Sequence, residues 1–95
     1  MSARRYVGRA ARERFTHDML AWIRARLAPP GVRVDAATPL FAGRIIDSIR
    51  ILELIAWTER AIGRNIPDVQ IRLDNFHSVA RIAEVFVAEA DDAAA

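Results

Sequence analysis

Asp47-Ser48-Ile49-Arg50-Ile51-Leu52-Glu53-Leu54-Ile55-Ala56-Trp57-Thr58-Glu59-Arg60-Ala61-Ile62-Gly63 is the stretch on which the fold turns. Set at about 100° per residue, Ile51, Leu54, Ile55, Thr58 and Ile62 fall on one narrow stripe. That stripe predicts a core-facing helix from Asp47-Ser48 to about Ile62, stopped by Gly63. Ile49, Leu52 and Ala56 form a second stripe, more than about 90° away. It begins one residue after Ser48 and is flanked by Arg50, Glu53 and Arg60. Two readings fit it. A central helix can be buried on two sides, or the stripe can be a docking face with a charged rim. Periodicity does not separate them.

The start of this helix has two readings as well. Asp is a preferred N-cap, so Asp-Ser before an apolar run can be simply a helix start. Alternatively, Ser48 carries a phosphodiester. A helix N-terminus, with free N–H groups and the positive end of its dipole, suits a phosphate.

Upstream, Phe15, Met19, Trp22, Ile23 and Leu27 recur at helical spacing. They predict a helix that begins at about Ala10 or Thr16 and ends at Leu27. Thr16 is a candidate N-cap, with Phe15 and Leu20 as a staple across it. Ala28-Pro29-Pro30-Gly31 ends the helix. A long connection follows, from about Gly31 to Ile46, and such a loop in a compact domain invites a functional explanation. Val32, Val34, Leu40 and Phe41 are expected to pin it to the core. Downstream, Asn65-Ile66-Pro67-Asp68 reads as a turn before a short helical piece near Val69–Leu73. A last helix is expected from Ser78, its N-cap, to Val87 or Ala88, with Val79, Ile82, Val85 and Phe86 inward.

The chain has 95 residues, which sets the scale of one domain. Its apolar fraction is 53%, much of it alanine, which favours helix, and no run alternates as a half-buried strand does. With no cysteine, neither a disulfide nor a protein thiol nucleophile is possible, and a reducing, cytoplasmic setting is the expectation. No stretch approaches the roughly 20 apolar residues of a membrane span, and no signal-peptide core is present. Every basic residue is arginine. Residues 1–15 carry five arginines, Arg4, Arg5, Arg9, Arg12 and Arg14, against Glu13, a net +4; the rest of the chain nets −2. The division expected is a basic extension at 1–15, a domain at 16–88 and a flexible tail at 89–95.

Several blocks together resemble the phosphopantetheine-binding carrier proteins, over about Thr16 to Ala88. Ile45-Ile46-Asp47-Ser48-Ile49 is similar to the family's Asp-Ser-Leu attachment motif, and Leu52-Glu53-Leu54-Ile55 to the run that follows it. Thr38-Pro39-Leu40-Phe41 resembles the segment that returns the long loop to the serine. Ile62-Gly63-Arg64-Asn65-Ile66-Pro67 and Asp74-Asn75-Phe76-His77-Ser78-Val79 resemble the turn after the second helix and the entry to the last.

The resemblance implies an all-α bundle of three main helices and one short one, with a long first loop. It implies that a phosphopantetheinyl transferase attaches a 4′-phosphopantetheine arm to Ser48, and that the arm's thiol holds an acyl or aminoacyl group as a thioester. The carrier itself then catalyses nothing. By the same resemblance, Asp47 helps position the transferase reaction around its metal ion, and Ile49 is a partner contact. Arg50, Leu52, Glu53, Ala56 and Arg44 complete the expected partner surface. The partners implied are the transferase, a cognate acyl- or aminoacyl-activating ligase and a downstream transferase or synthase. A monomer is expected, with no nucleic acid and no membrane.

Three departures from the family bear on the partners. Arg44 stands where a glycine often precedes the motif, and Gly43 is displaced by one. Arg50 and Arg60 interrupt a helix that is strongly acidic in fatty-acid carriers. Residues 1–15 have no counterpart in the family core. These differences argue against ordinary fatty-acid synthesis, and the wording around Phe41 and Asn75-Phe76 leans towards aminoacyl cargo. Arg44 and Arg50, flanking the arm, are expected to help choose the charging enzyme.

The competing readings are a carrier-like scaffold without the arm and a small nucleic-acid-binding helical domain. Against the latter, Glu53, Glu59, Glu84 and Glu89 interrupt any basic helix face. His17 and His77 lie in no metal or triad motif, and Trp22 and Trp57 read as packing residues.

Overall fold

The computed structural model describes residues 6–88. Among them are three α-helices and no strand: α1 (Ala11–Arg26), α2 (Arg50–Ile62) and α3 (Val79–Phe86). Two 3-10 turns, Asp68–Gln70 and Leu73–Phe76, lie between α2 and α3. The single short piece expected near Val69–Leu73 is therefore two turns, with Ile71 and an extended Arg72 between them.

Of the two starts expected for the first helix, about Ala10 or Thr16, the structure takes the earlier. Ala11, Phe15, Met19 and Ile23 recur every fourth residue and are all buried, so the core stripe of α1 begins a turn earlier. Thr16 lies inside the helix and caps nothing. Tyr6 is buried too; its hydroxyl donates to Asp18 Oδ2 at 2.6 Å and its ring meets Phe15 edge-on at 5.3 Å. The Arg14 guanidinium donates to the carbonyls of Val7 and Arg9, both at 2.8 Å. Those bonds lie at the surface within the segment, whereas Arg12 Nε reaches the end of α3 and donates to the Val87 carbonyl at 2.6 Å. Arg4, Arg5 and the expected tail at 89–95 lie outside the described residues.

Aromatic contacts continue from Phe15 to Trp57 (5.5 Å) and from Trp57 to Trp22, which stack at 5.7 Å. Both tryptophans pack against the core, as read from the sequence. α2 supplies Leu54, Thr58 and Ala61 to the interior, and the Thr58 hydroxyl is satisfied by the Leu54 carbonyl at 2.8 Å. Gly63 ends α2 in the left-handed conformation (φ 76°), where a side chain is costly, and its N–H reaches the Glu59 carbonyl. Ser78 caps α3 by accepting from the Arg81 N–H at 3.1 Å. Val79, Ile82, Ala83 and Phe86 are buried; Val85, expected among them, is half-buried because Ala83 takes the inward position.

The long connection is built from turns. Asp35 and Thr38 form an Asx-type turn, with Asp35 Oδ1 accepting from the Ala37 N–H and the Thr38 hydroxyl. Val34 is buried and Arg24 of α1 holds its carbonyl, whereas Val32, expected to pin the loop, is 40% exposed beside the proline turn. Residues Pro39–Ile45 then make one helical turn closed by a Schellman pattern. The Ile45 N–H donates to the Leu40 carbonyl (2.9 Å) and the Arg44 N–H to the Phe41 carbonyl (3.0 Å). Arg44 occupies the left-handed position of that motif, φ 61°, where glycine is the usual residue. Gly43 is required for a different reason. A Cβ there would lie 2.8 Å from the Pro39 carbonyl oxygen, a backbone atom.

Two opposite effects are expected from adjacent substitutions. Gly43→Ala should destabilise by about 1–3 kcal/mol, because the clash forces the backbone apart. Arg44→Gly should stabilise by about 1 kcal/mol, by removing the left-handed penalty of a side chain. Urea unfolding midpoints measure both.

Candidate functional site

Ile45 and Ile46 are buried, and both their N–H groups donate to the Leu40 carbonyl, at 2.9 and 3.1 Å. The next residues turn outward: Asp47, Ser48, Ile49 and Arg50 are all exposed. The switch happens within one peptide unit, so the anchored isoleucines fix where the serine emerges.

Regular α2 starts at Arg50, and Asp47–Ile49 forms the turn that leads into it. Asp47 organises that turn. Its Oδ1 accepts from the Ile49 N–H at 3.0 Å and the Arg50 N–H at 2.8 Å. Its backbone carbonyl accepts from the Ile51 N–H at 3.0 Å. These bonds take up free donors at the helix start. The Arg50 N–H, then the Ile49 N–H, and then the charge of the Arg50 guanidinium hold the Asp47 carboxyl below the usual carboxylate range. Oδ2 accepts no hydrogen bond among the described residues. Ser48 sits inside this clamp with its hydroxyl unengaged by any histidine or carboxylate of the described residues.

The two open readings of the second stripe are resolved by burial. Ile49 is 73% exposed and Leu52 65% exposed, so the stripe is a surface, not a second core contact. Ala56, further along it, is half-buried. Glu53 and Arg50 lie beside it in solvent. Arg44 is exposed as well, but Ile45 and Ile46 separate it from the helix, on the turn before Asp47. Arg44 and Arg50 differ in one respect. The Arg50 charge acts on Asp47, while the Arg44 side chain has no hydrogen bond or ion pair among the described residues.

Sequence reading passed over two features nearby. Val69, Ile71 and Leu73 are exposed on the segment between α2 and α3. Val69 and Leu73 lie in the two 3-10 turns, with Ile71 between them. A cleft of about 210 Å³ lies between the Pro39–Ala42 turn and Leu73, Asp74 and His77. The two segments that flank it are tied by the bond from the Leu40 N–H to the His77 carbonyl, 2.8 Å. His17 and His77 are both exposed, and no group of three or more histidine, aspartate or glutamate residues gathers among the described residues. No helix among them is long and apolar enough to cross a membrane.

No family model matches the chain, and no curated protein matches it.

Burial makes a test of the two faces of α2. Ile49→Gln and Leu52→Gln should each change stability by less than about 0.5 kcal/mol, as exposed positions do. Leu54→Ala, two residues from Leu52 and fully buried, should cost about 2–5 kcal/mol. Guanidinium unfolding of the three variants decides it.

The Asp47 clamp has a pH signature. A carboxyl with a depressed native pKa contributes stability that is complete above its unfolded value, about 4, and lost as pH falls through the lower native value. Asp47→Asn keeps an N-cap side chain but not the charge. Any advantage of the wild type over Asp47→Asn at neutral pH should vanish in acid, as followed by thermal unfolding from pH 7 to pH 2.

Proposed function

We propose that the chain is a carrier protein that holds an acyl or aminoacyl group as a thioester on a 4′-phosphopantetheine arm at Ser48. The observation that carries this reading is an exposed serine clamped at the start of a rigid helix. Its hydroxyl has no hydrogen-bonded base among the described residues, which suits a hydroxyl acted on by another enzyme. The resemblance of the flanking blocks to carrier proteins supports the same reading.

The residues present fit the arm. Ser48 and both its neighbours are exposed, so a phosphodiester on Oγ displaces nothing from the core. The arm, when attached, supplies the thiol that this cysteine-free chain lacks. The chain's own part is positional. Asp47 holds the turn through Oδ1 and, being exposed, keeps Oδ2 for a transferase's metal ion. Ile49 and Leu52 offer the apolar contact surface, with Arg50 and Glu53 at its edge. A tether raises the effective concentration of the cargo at each partner's site. The partners are a phosphopantetheinyl transferase, an activating ligase and a downstream transferase or synthase.

Attachment balances as a phosphoryl transfer. Ser48 Oγ bonds to the phosphorus on the pantetheine side of the coenzyme A diphosphate. The bond from that phosphorus to the bridging oxygen breaks, 3′,5′-ADP leaves with the electron pair, and the hydroxyl proton passes to the transferase or solvent.

Incubating the apo chain with coenzyme A, magnesium and a promiscuous phosphopantetheinyl transferase should add the mass of one phosphopantetheine. Ser48→Ala should gain nothing. An unchanged wild-type mass would move the reading to a scaffold that has lost its chemistry.

A further inference from the structure

We propose that Arg44 binds an anionic group of the transferase–coenzyme A complex as that complex closes over Ser48. This rests on the reading of Ser48 as the modified residue.

Three observations point to it. Arg44 is an exposed residue other than glycine held at φ 61°, in the one position of its turn where glycine is favoured. Strain of this kind persists where surrounding structure enforces it, and it clusters at functional sites. Here the surroundings are rigid: Ile45 and Ile46 on one side and Phe41 on the other lock the turn through backbone hydrogen bonds. The other described non-glycine residue with positive φ, Ala10, is half-buried and its carbonyl starts α1 by accepting from the Arg14 N–H at 3.0 Å. The Arg44 backbone closes its turn through its N–H on the Phe41 carbonyl, but its side chain has no such return. Its guanidinium meets no acceptor among the described residues, so the fold keeps a strained side chain that it does not use.

The third observation is placement. Arg44 lies four residues before Ser48, on the turn that delivers it. Enzymes that act on the cargo work at the far end of the arm. The transferase alone must bring its reacting atoms to Ser48 Oγ, so residues beside Ser48 lie in its interface. That complex carries phosphates, and a planar guanidinium binds phosphate or carboxylate through paired hydrogen bonds. A lysine supplies the charge without the fork. The anion has two sources, the nucleotide part of coenzyme A or an acidic side chain of the transferase.

The test is steady-state arm transfer to the apo chain, wild type against Arg44→Gly, Arg44→Asn and Arg44→Lys, at low and high salt. Asparagine tolerates the left-handed conformation, so it separates charge from flexibility. At low salt, kcat/KM for the carrier should fall about tenfold in Arg44→Gly and Arg44→Asn, the scale of one charged hydrogen bond. Arg44→Lys should fall less. The gap should narrow at high salt. Arg44→Gly should meanwhile melt above the wild type, so a merely structural role for the side chain does not produce the loss. Repeating the assay with 3′-dephospho-coenzyme A separates the sources. A loss that disappears assigns the anion to the 3′-phosphate, and a loss that persists assigns it to the remainder of the complex. Wild-type kcat/KM in both neutral variants would overturn the proposal while leaving the carrier reading intact. A wild type that accepts no arm would remove the carrier reading itself, and this inference with it.

Discussion

The backbone of Leu40 is the constraint on which the rest depends. Its carbonyl takes the N–H groups of both Ile45 and Ile46, and its N–H reaches the His77 carbonyl beside the start of α3. Its side chain is fully buried. One residue therefore joins the long connection, the approach to Ser48 and the last helix. Further along the same connection, Arg24 of α1 holds the Val34 carbonyl and the Ala36 carbonyl accepts from Ala80 of α3. A segment without regular structure is thus fastened to two helices. Its buried polar groups are answered by specific partners, as they must be when backbone leaves water.

That fastening explains how an exposed residue can be held in a fixed place. Ile46 is buried and Asp47 is not, so the chain crosses from core to solvent at a defined point. Asp47 then spends one oxygen on the turn and Leu54, Thr58 and Ala61 hold α2 against the core. The opposite side of α2 is left to solvent, with Ile49 and Leu52 standing out. Exposed aliphatic groups carry no benefit to the isolated fold. Under the proposed carrier function they would be a surface for the enzymes that must find Ser48.

Much of this was legible in the residues, where local chemistry decides. Ser78 as a cap, Gly63 as a stop and the Leu54–Thr58 face of α2 follow from capping and periodicity and stand in the structure. The start of α1 was ambiguous because arginines crowd the first fifteen residues and Ala11 is a weak hydrophobic signal. Only the packed position of Tyr6 and the bond from Arg12 to the Val87 carbonyl show that the described part of this segment, from Tyr6 on, packs against the helices. Val32 and Val34 look alike as letters; the proline turn exposes one and Arg24 fastens the other. The left-handed Arg44 was hidden for a similar reason. Nothing in an arginine by itself announces positive φ; the one hint was that Arg44 stands where the resembled family often has glycine, while Gly43 serves the close approach to Pro39. For Ser48, exposure could not be read from letters, whereas the Asp-Ser pairing could.

The most direct measurement of the central claim is tandem mass spectrometry of the chain produced beside a phosphopantetheinyl transferase. Trypsin cutting after Arg44 and Arg50 releases Ile45-Ile46-Asp47-Ser48-Ile49-Arg50, which contains a single hydroxyl residue. The expected result is that peptide carrying one phosphopantetheine, with fragment ions placing it on Ser48. The arm on any other residue, or this peptide wholly unmodified while a known carrier in the same cells is loaded, would contradict the account.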